Sequence, residues 1–161
     1  MPNAAHAFWN VFRIVTSFTV AHSITLGLAV LEVASLPSRW VESAIAASVL
    51  LAALNNIYPI VQRNLWMVAF AFGLIHGFGF ASVLLDLGLP RHSLALSLLG
   101  FNLGVELGQL AVVALYFVLA YGIRSTDLYR KALLSGGSAA IGLIATAWMI
   151  ERALDLKVSA L

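Results

Sequence analysis

Five apolar stretches follow one another with barely a break in a chain of 161 residues. They cover roughly residues 14–36, 40–61, 65–85, 93–121 and 132–154. A membrane-spanning helix needs about 20 mostly apolar residues, and each stretch meets that length. Within a bilayer every backbone N–H and C=O must find a partner inside the protein, so runs of this kind fold as helices. The sequence therefore predicts an all-α fold: a polytopic transmembrane bundle of about five helices, one transmembrane domain over residues 1–161. Composition points the same way. The chain is 61% hydrophobic and 10% charged, whereas a soluble domain is about 45–50% apolar and about 25% charged. A soluble chain this short has too much surface for its volume to hide so many apolar side chains. The lipid bilayer is its expected partner.

The punctuation lies between the stretches. Leu36-Pro37-Ser38-Arg39 separates the first two. Tyr58-Pro59 with Gln62-Arg63-Asn64, the segment Asp86 to His92, and Arg124 to Asp127 with Arg130-Lys131 separate the rest. Such clusters stop helices. All nine Lys and Arg are expected at helix ends or in loops, since a basic group at the bilayer centre costs about 2.5–3.5 kcal/mol on insertion scales. One side would carry Arg13, Arg63, Arg124, Arg130 and Lys131, the other Arg39, Arg91, Arg152 and Lys157. That small excess leans to a cytoplasmic N-terminus. The net charge of +2 and the lack of a basic cluster predict no nucleic-acid partner. Without cysteine, disulfides, thiolate metal sites and thiol nucleophiles are excluded.

The informative residues are the polar ones that fall within the apolar stretches. Asn102, Glu106 and Gln109 recur at i, i+4 and i+7, one stripe on one helix face. On the first helix Thr19, His22 and Thr25 are spaced by three. His76 lies near the middle of the third helix and Asn55 toward the end of the second. Ionisable groups at such depth face a bundle interior and mark ion pathways or proton relays. Each also has a plainer reading. Glu106 could be a protonated carboxyl bonded to a helix backbone, and His22, His76, Asn55 and Asn56 could be interhelical glue. Glu42, expected in the first turn of its helix, reads as structural, and Phe72, Phe78, Phe80 and Phe101 read as packing.

Glycine spacing suggests where helices approach closely. Gly73 and Gly77 form one ridge, and Gly100, Gly104 and Gly108 form a double GxxxG ridge on the fourth helix. The fourth helix is thus expected to be central, with its glycines toward a neighbour and Glu106 toward a cavity.

Three segments carry a family resemblance. Phe18-Thr19-Val20-Ala21-His22-Ser23-Ile24-Thr25-Leu26 is similar to the FTxAHSxTL segment of the HupE/UreJ membrane proteins. Phe72 to Ala81 resembles that family's FGLxHGFGFA segment, and Phe101 to Gln109 resembles its FNxGVExGQ segment. Val41-Glu42 through Asn55 is similar to its second-helix pattern, so the resemblance runs from about Phe18 to Val118. The family is associated with hydrogenase and urease accessory genes, and its members are taken as permeases for nickel or related divalent metals. The resemblance implies that His22, His76, Asn102 and Glu106 belong to a metal path, with Thr25, Asn55 and Gln109 as secondary polar positions. It also implies residence in the bacterial inner membrane. Family members usually begin with a further helix bearing a Gly-x-Asp-His element. None occurs between Met1 and Arg13, so the expectation is a shortened member, a fragment, or one half of an assembly whose partner supplies that helix.

The leading expectation is a membrane permease for nickel or a related divalent transition-metal cation, not an enzyme, with no resident cofactor. Imidazole, carboxylate and amide oxygen suit such metals. Two alternatives stay open. One is a structural or accessory membrane subunit of a metal-handling complex. The other is a b-type haem protein with His22 and His76 as axial ligands, Gly77 and Gly79 making room for the ring. An intramembrane metalloenzyme ranks low, because no HExxH box is present. A homo-oligomer or a partner membrane subunit is a further expectation, because so small a bundle has little interior of its own.

Overall fold

The computed structural model describes residues 4–86, 91–121, 126 and 128–156. The expected connectors at 87–90 and 122–125 lie outside the described residues. The elements are α1 (Ala4–Val30), α2 (Ser38–Ile57), α3 (Leu65–Asp86), α4 (Arg91–Tyr121), a π-helical segment Leu128–Gly136, and α5 (Gly137–Ala153). No strand occurs among the described residues. Among the described residues four helical spans are long and apolar enough to cross a membrane: His6–Val30, Ser38–Ile57, Leu96–Val118 and Lys131–Ala153. α3 adds the shorter apolar run Leu65–Ala81 among the described residues. The protein is an all-helical integral membrane protein.

α1 departs most from the sequence reading. It runs over Ala4–Val30 instead of 14–36. Its stop is not Pro37. Glu32 adopts a left-handed φ of 59°, and the Val33 N–H donates back to the Leu28 carbonyl at 2.9 Å while Glu32 N–H reaches Ala29 at 3.1 Å. This closing turn usually employs glycine; a glutamate in that place gives no sequence signal. The early start puts Arg13 inside the helix, not at its end. Its long side chain stays exposed, as a snorkelling arginine does.

The chain contacts group into two units: residues 1–35 with 63–114, and residues 36–62 with 115–161. In the first, α1 and α3 run parallel and touch backbone to backbone. Ser17 Oγ donates to the Trp66 carbonyl at 2.8 Å. Further along, Gly73 lies against Phe18 and Ala21, and Gly77 against His22 and Thr25. A Cβ on Gly77 would overlap Thr25 Oγ1 and the His22 carbonyl oxygen, so only glycine permits this approach. Beyond that level a dry cluster closes the unit: Leu26, Ala29, Val30, Ala81 and Leu84, with Phe78, Leu98 and Phe101 against it.

In the second unit α2 packs on α5 through small residues. Ala46, Ser48 and Ala53 are buried on α2, and Ser138, Gly142 and Ala145 on α5. A Cβ on Gly142 would rest 3.6 Å from Leu50 and 3.7 Å from Ala53, ordinary contact distances. Gly142→Ala is therefore expected to leave the melting temperature in detergent unchanged or slightly raised, unlike the glycines of α3. At one end of this helix pair Arg152 Nε meets Glu42 Oε2 at 2.9 Å, and the Arg39 guanidinium donates to the Ala153 carbonyl at the end of α5. Glu42 lies beyond the first turn of α2, so this ion pair, not the helix dipole, accounts for it. The pair is about half exposed on the Arg152 side and a third on the Glu42 side. Exposed pairs contribute about 0–1 kcal/mol, so Glu42→Gln is expected to shift a thermal melt only slightly.

Candidate functional site

A polar seam runs between α1 and α4 in the first unit. Three α4 positions fall along α1 in reverse order, so the helices are antiparallel. Leu98 packs on the Leu26 cluster, Asn102 meets His22, and Glu106 meets Thr16. The spacing of Asn102, Glu106 and Gln109 keeps all three within about 60° of one another around the helix at 100° per residue. On α1 the seam is formed by Thr16, Thr19 and His22. A step of three residues drifts by about 60°, so Thr25 has turned half way round from Thr16. It lies against Gly77 of α3, and its hydroxyl donates within α1 to the Ala21 and His22 carbonyls, both at 3.3 Å.

Thr16 Oγ1 donates to Glu106 Oε1 at 2.8 Å. Glu106 is half-buried near the middle of the Leu96–Val118 span. Gln109 Oε1 stands 3.5 Å from the Thr19 hydroxyl, at the outer limit of a hydrogen bond. His22 is only 1% exposed, and its Nδ1 lies 3.1 Å from Asn102 Oδ1. Asn102 Nδ2 in turn donates to the Leu98 carbonyl at 2.8 Å. Aromatic rings surround the imidazole. Phe18 and Phe101 lie nearly parallel to it, with centroids 6.0 and 6.1 Å away, and Phe80 meets it edge-on at 5.6 Å. His76 comes from α3 and rests against the same Phe18 at 5.2 Å.

At the N-terminal end of α3 lies a recess of about 340 Å³ lined by Arg13 and Trp66. α1 projects past the start of α3, which is level with Ser17. At the other end the seam stops at the dry Leu26 cluster. Among the described residues the seam thus runs from Thr16 and Glu106 to His22 and Asn102.

Of the residues singled out in the sequence, His22, Asn102, Glu106 and Gln109 line this seam, with His76 adjoining through Phe18. Asn55 belongs to the second unit. Its Nδ2 donates to the Val61 carbonyl at 3.0 Å and its Oδ1 accepts from the Val61 N–H at 2.7 Å, closing the turn after α2. Asn56 bonds Ser138 at 3.3 Å, gluing α2 to α5. The Gly100, Gly104, Gly108 ridge does not serve the α1–α4 or α3–α4 contact, since a Cβ on any of them would meet nothing within 4 Å. α4 reaches its unit through long side chains instead, and the close approach belongs to α1 and α3. Thr16 was missed in the sequence. Extending the three-residue spacing one step back from Thr19 finds it. The ring of Phe18, Phe80 and Phe101 around His22 is tertiary and has no such signal.

The close contact at Gly77 counts against a haem between His22 and His76. The backbone touches at Gly77, where even a methyl group would collide with α1. Gly77, one of the two glycines thought to admit a porphyrin, is filled by the neighbouring helix. Among the described residues no three His, Asp or Glu side chains converge as a chelating group.

The family model for HupE/UreJ proteins matches residues 3–152. The chain belongs to the HupE/UreJ family. The match is wider than the segments Phe18 to Val118 suggested, and takes in α5 and the start of α1. No curated protein and no solved structure matches the chain. HupE/UreJ membership points to a nickel or cobalt accessory or transport role. In this HupE/UreJ protein the three segments that carry the resemblance supply the α1–α4 seam and the α1–α3 glycine contact.

Proposed function

We propose that this HupE/UreJ protein is a permease of the bacterial inner membrane for nickel or a related divalent transition-metal cation, and that the α1–α4 seam is its path. The observation that carries this reading is Glu106: a carboxylate at mid-span, held by the Thr16 hydroxyl and one turn from the Asn102–His22 pair. A carboxylate at such depth is costly unless it serves an ion. Imidazole nitrogen and carboxylate oxygen are ligands of intermediate softness, suited to nickel or cobalt. Ligands strung along a seam, instead of gathered into one chelate, bind a cation weakly enough to release it, as conduction requires. The recess at Arg13 and Trp66 is the seam's mouth, and the Leu26 cluster is the barrier that must part for passage.

The test is nickel binding to the purified protein in detergent, wild type against His76→Ala. Wild type is expected to bind, and a folded His76→Ala to bind at least tenfold more weakly. A folded wild type that binds neither nickel nor cobalt would overturn the permease reading and favour the accessory-subunit alternative.

A further inference from the structure

The two ends of the Asn102 side chain are not interchangeable. A backbone carbonyl only accepts, so the 2.8 Å contact with the Leu98 oxygen requires the Asn102 NH₂ group there. Turning the amide over would set two carbonyl oxygens against each other. The amide oxygen is thereby committed to the other side, 3.1 Å from His22 Nδ1. That oxygen is also acceptor-only. A bare Nδ1 lone pair facing it would be repelled, so Nδ1 must carry a proton. In the neutral ring Nε2 is then the unprotonated nitrogen, with its lone pair available.

We infer that Asn102 is a positioning residue that fixes His22 in the Nδ1–H form and so presents Nε2 as the donor atom to the cation. The chain of constraint is Leu98 carbonyl, Asn102 amide, His22 imidazole. The rings of Phe18 and Phe101, near-parallel at 6.0 and 6.1 Å, keep the imidazole plane from turning, and Phe80 closes on it edge-first at 5.6 Å. His22 is 1% exposed, so bulk water offers the ring no competing partner. Metal-binding histidines commonly donate their second ring N–H to a carbonyl or carboxylate, which sets the tautomer and raises the basicity of the ligating nitrogen. Asn102 fills that place here. It therefore does not ligate through Oδ1, the role that the family resemblance would give it, because that oxygen is already engaged by the ring. The part of this inference that concerns the cation rests on the permease reading; the part that concerns the proton does not.

The two parts are tested apart. Nitrogen NMR of ¹⁵N-histidine-labelled protein in detergent, without metal and above neutral pH, reads the tautomer directly. The His22 signal is assigned by its loss in His22→Gln. Wild type is expected to show Nδ1 protonated and Nε2 bare. Asn102→Leu removes the acceptor and is expected to move the proton toward Nε2, the form that neutral histidine favours in water. A wild-type His22 protonated on Nε2 overturns the inference, and this reading needs no variant to fold. An unchanged tautomer in folded Asn102→Leu overturns it as well. Nickel binding is the second readout: Asn102→Leu is expected to lose at least tenfold. If the tautomer shifts as stated while no form of the protein binds nickel, Asn102 still positions His22 and the permease reading is what fails.

Discussion

Gly77→Val is expected to abolish the native pairing of α1 and α3. The added Cβ would occupy the space of Thr25 Oγ1 and the His22 carbonyl oxygen, with the Leu26 amide nitrogen 2.9 Å away. Two of those three atoms are backbone and cannot rotate aside. Overpacking a close contact costs about 1–3 kcal/mol even where side chains can yield, and here the helices must separate. The damage would spread to the site, because the displaced residues include His22 itself. The expected result is loss of monodisperse protein on size exclusion in detergent, or a melting temperature many degrees lower. Gly73→Val is expected to behave similarly, since a Cβ there would overlap the Phe18 carbonyl oxygen and lie 2.9 Å from Ala21 Cβ. Gly104→Ala is the control: its Cβ would meet nothing within 4 Å, so α1 and α3 should stay paired and the melt unchanged.

The second large effect is on the cation. Glu106→Gln keeps the shape of the side chain and an oxygen that can still accept from Thr16, but removes the charge. Nickel binding is expected to weaken at least tenfold, a loss of about 1.4 kcal/mol, with little change in thermal stability. Thr16→Val removes only the hydroxyl that holds the carboxylate. Its expected effect is smaller and has the same sign, because Glu106 keeps its charge but loses its orientation. Titration of the purified variants with nickel, read by calorimetry, ranks the three proteins. If Thr16→Val weakened binding as much as Glu106→Gln, the charge would not be what matters.

The fold was legible because lipid leaves the chain so few options. Long apolar runs broken by Pro37, Pro59 and the polar cluster at Gln62-Arg63-Asn64 must become helices, and they do. The boundaries were harder. α1 stops at a left-handed glutamate and continues through Arg13 toward the N-terminus, and neither feature has a strong local signature. The seam was partly legible. The α4 stripe Asn102, Glu106, Gln109 survives intact, because i, i+4, i+7 spacing stays on one face. The α1 set did not, because a spacing of three rotates away, bringing in Thr16 and turning Thr25 to α3. Glycine ridges were readable as close contacts only in kind. Nothing local distinguishes Gly77, pressed on α1, from Gly104, which meets nothing nearby. Asn55 looked like the other buried amides, yet both of its amide groups close a turn with Val61. The orientation of Asn102 was beyond the sequence altogether, since it depends on which neighbour each end of the amide meets.

The most direct measurement is nickel flux into sealed proteoliposomes that contain this chain alone, with a nickel-sensitive dye trapped inside. Wild type is expected to admit nickel well above protein-free vesicles, and Glu106→Gln, reconstituted to the same level, to fall to that background. Flux that is equal in wild type and Glu106→Gln would contradict the assignment of the α1–α4 seam as the metal path.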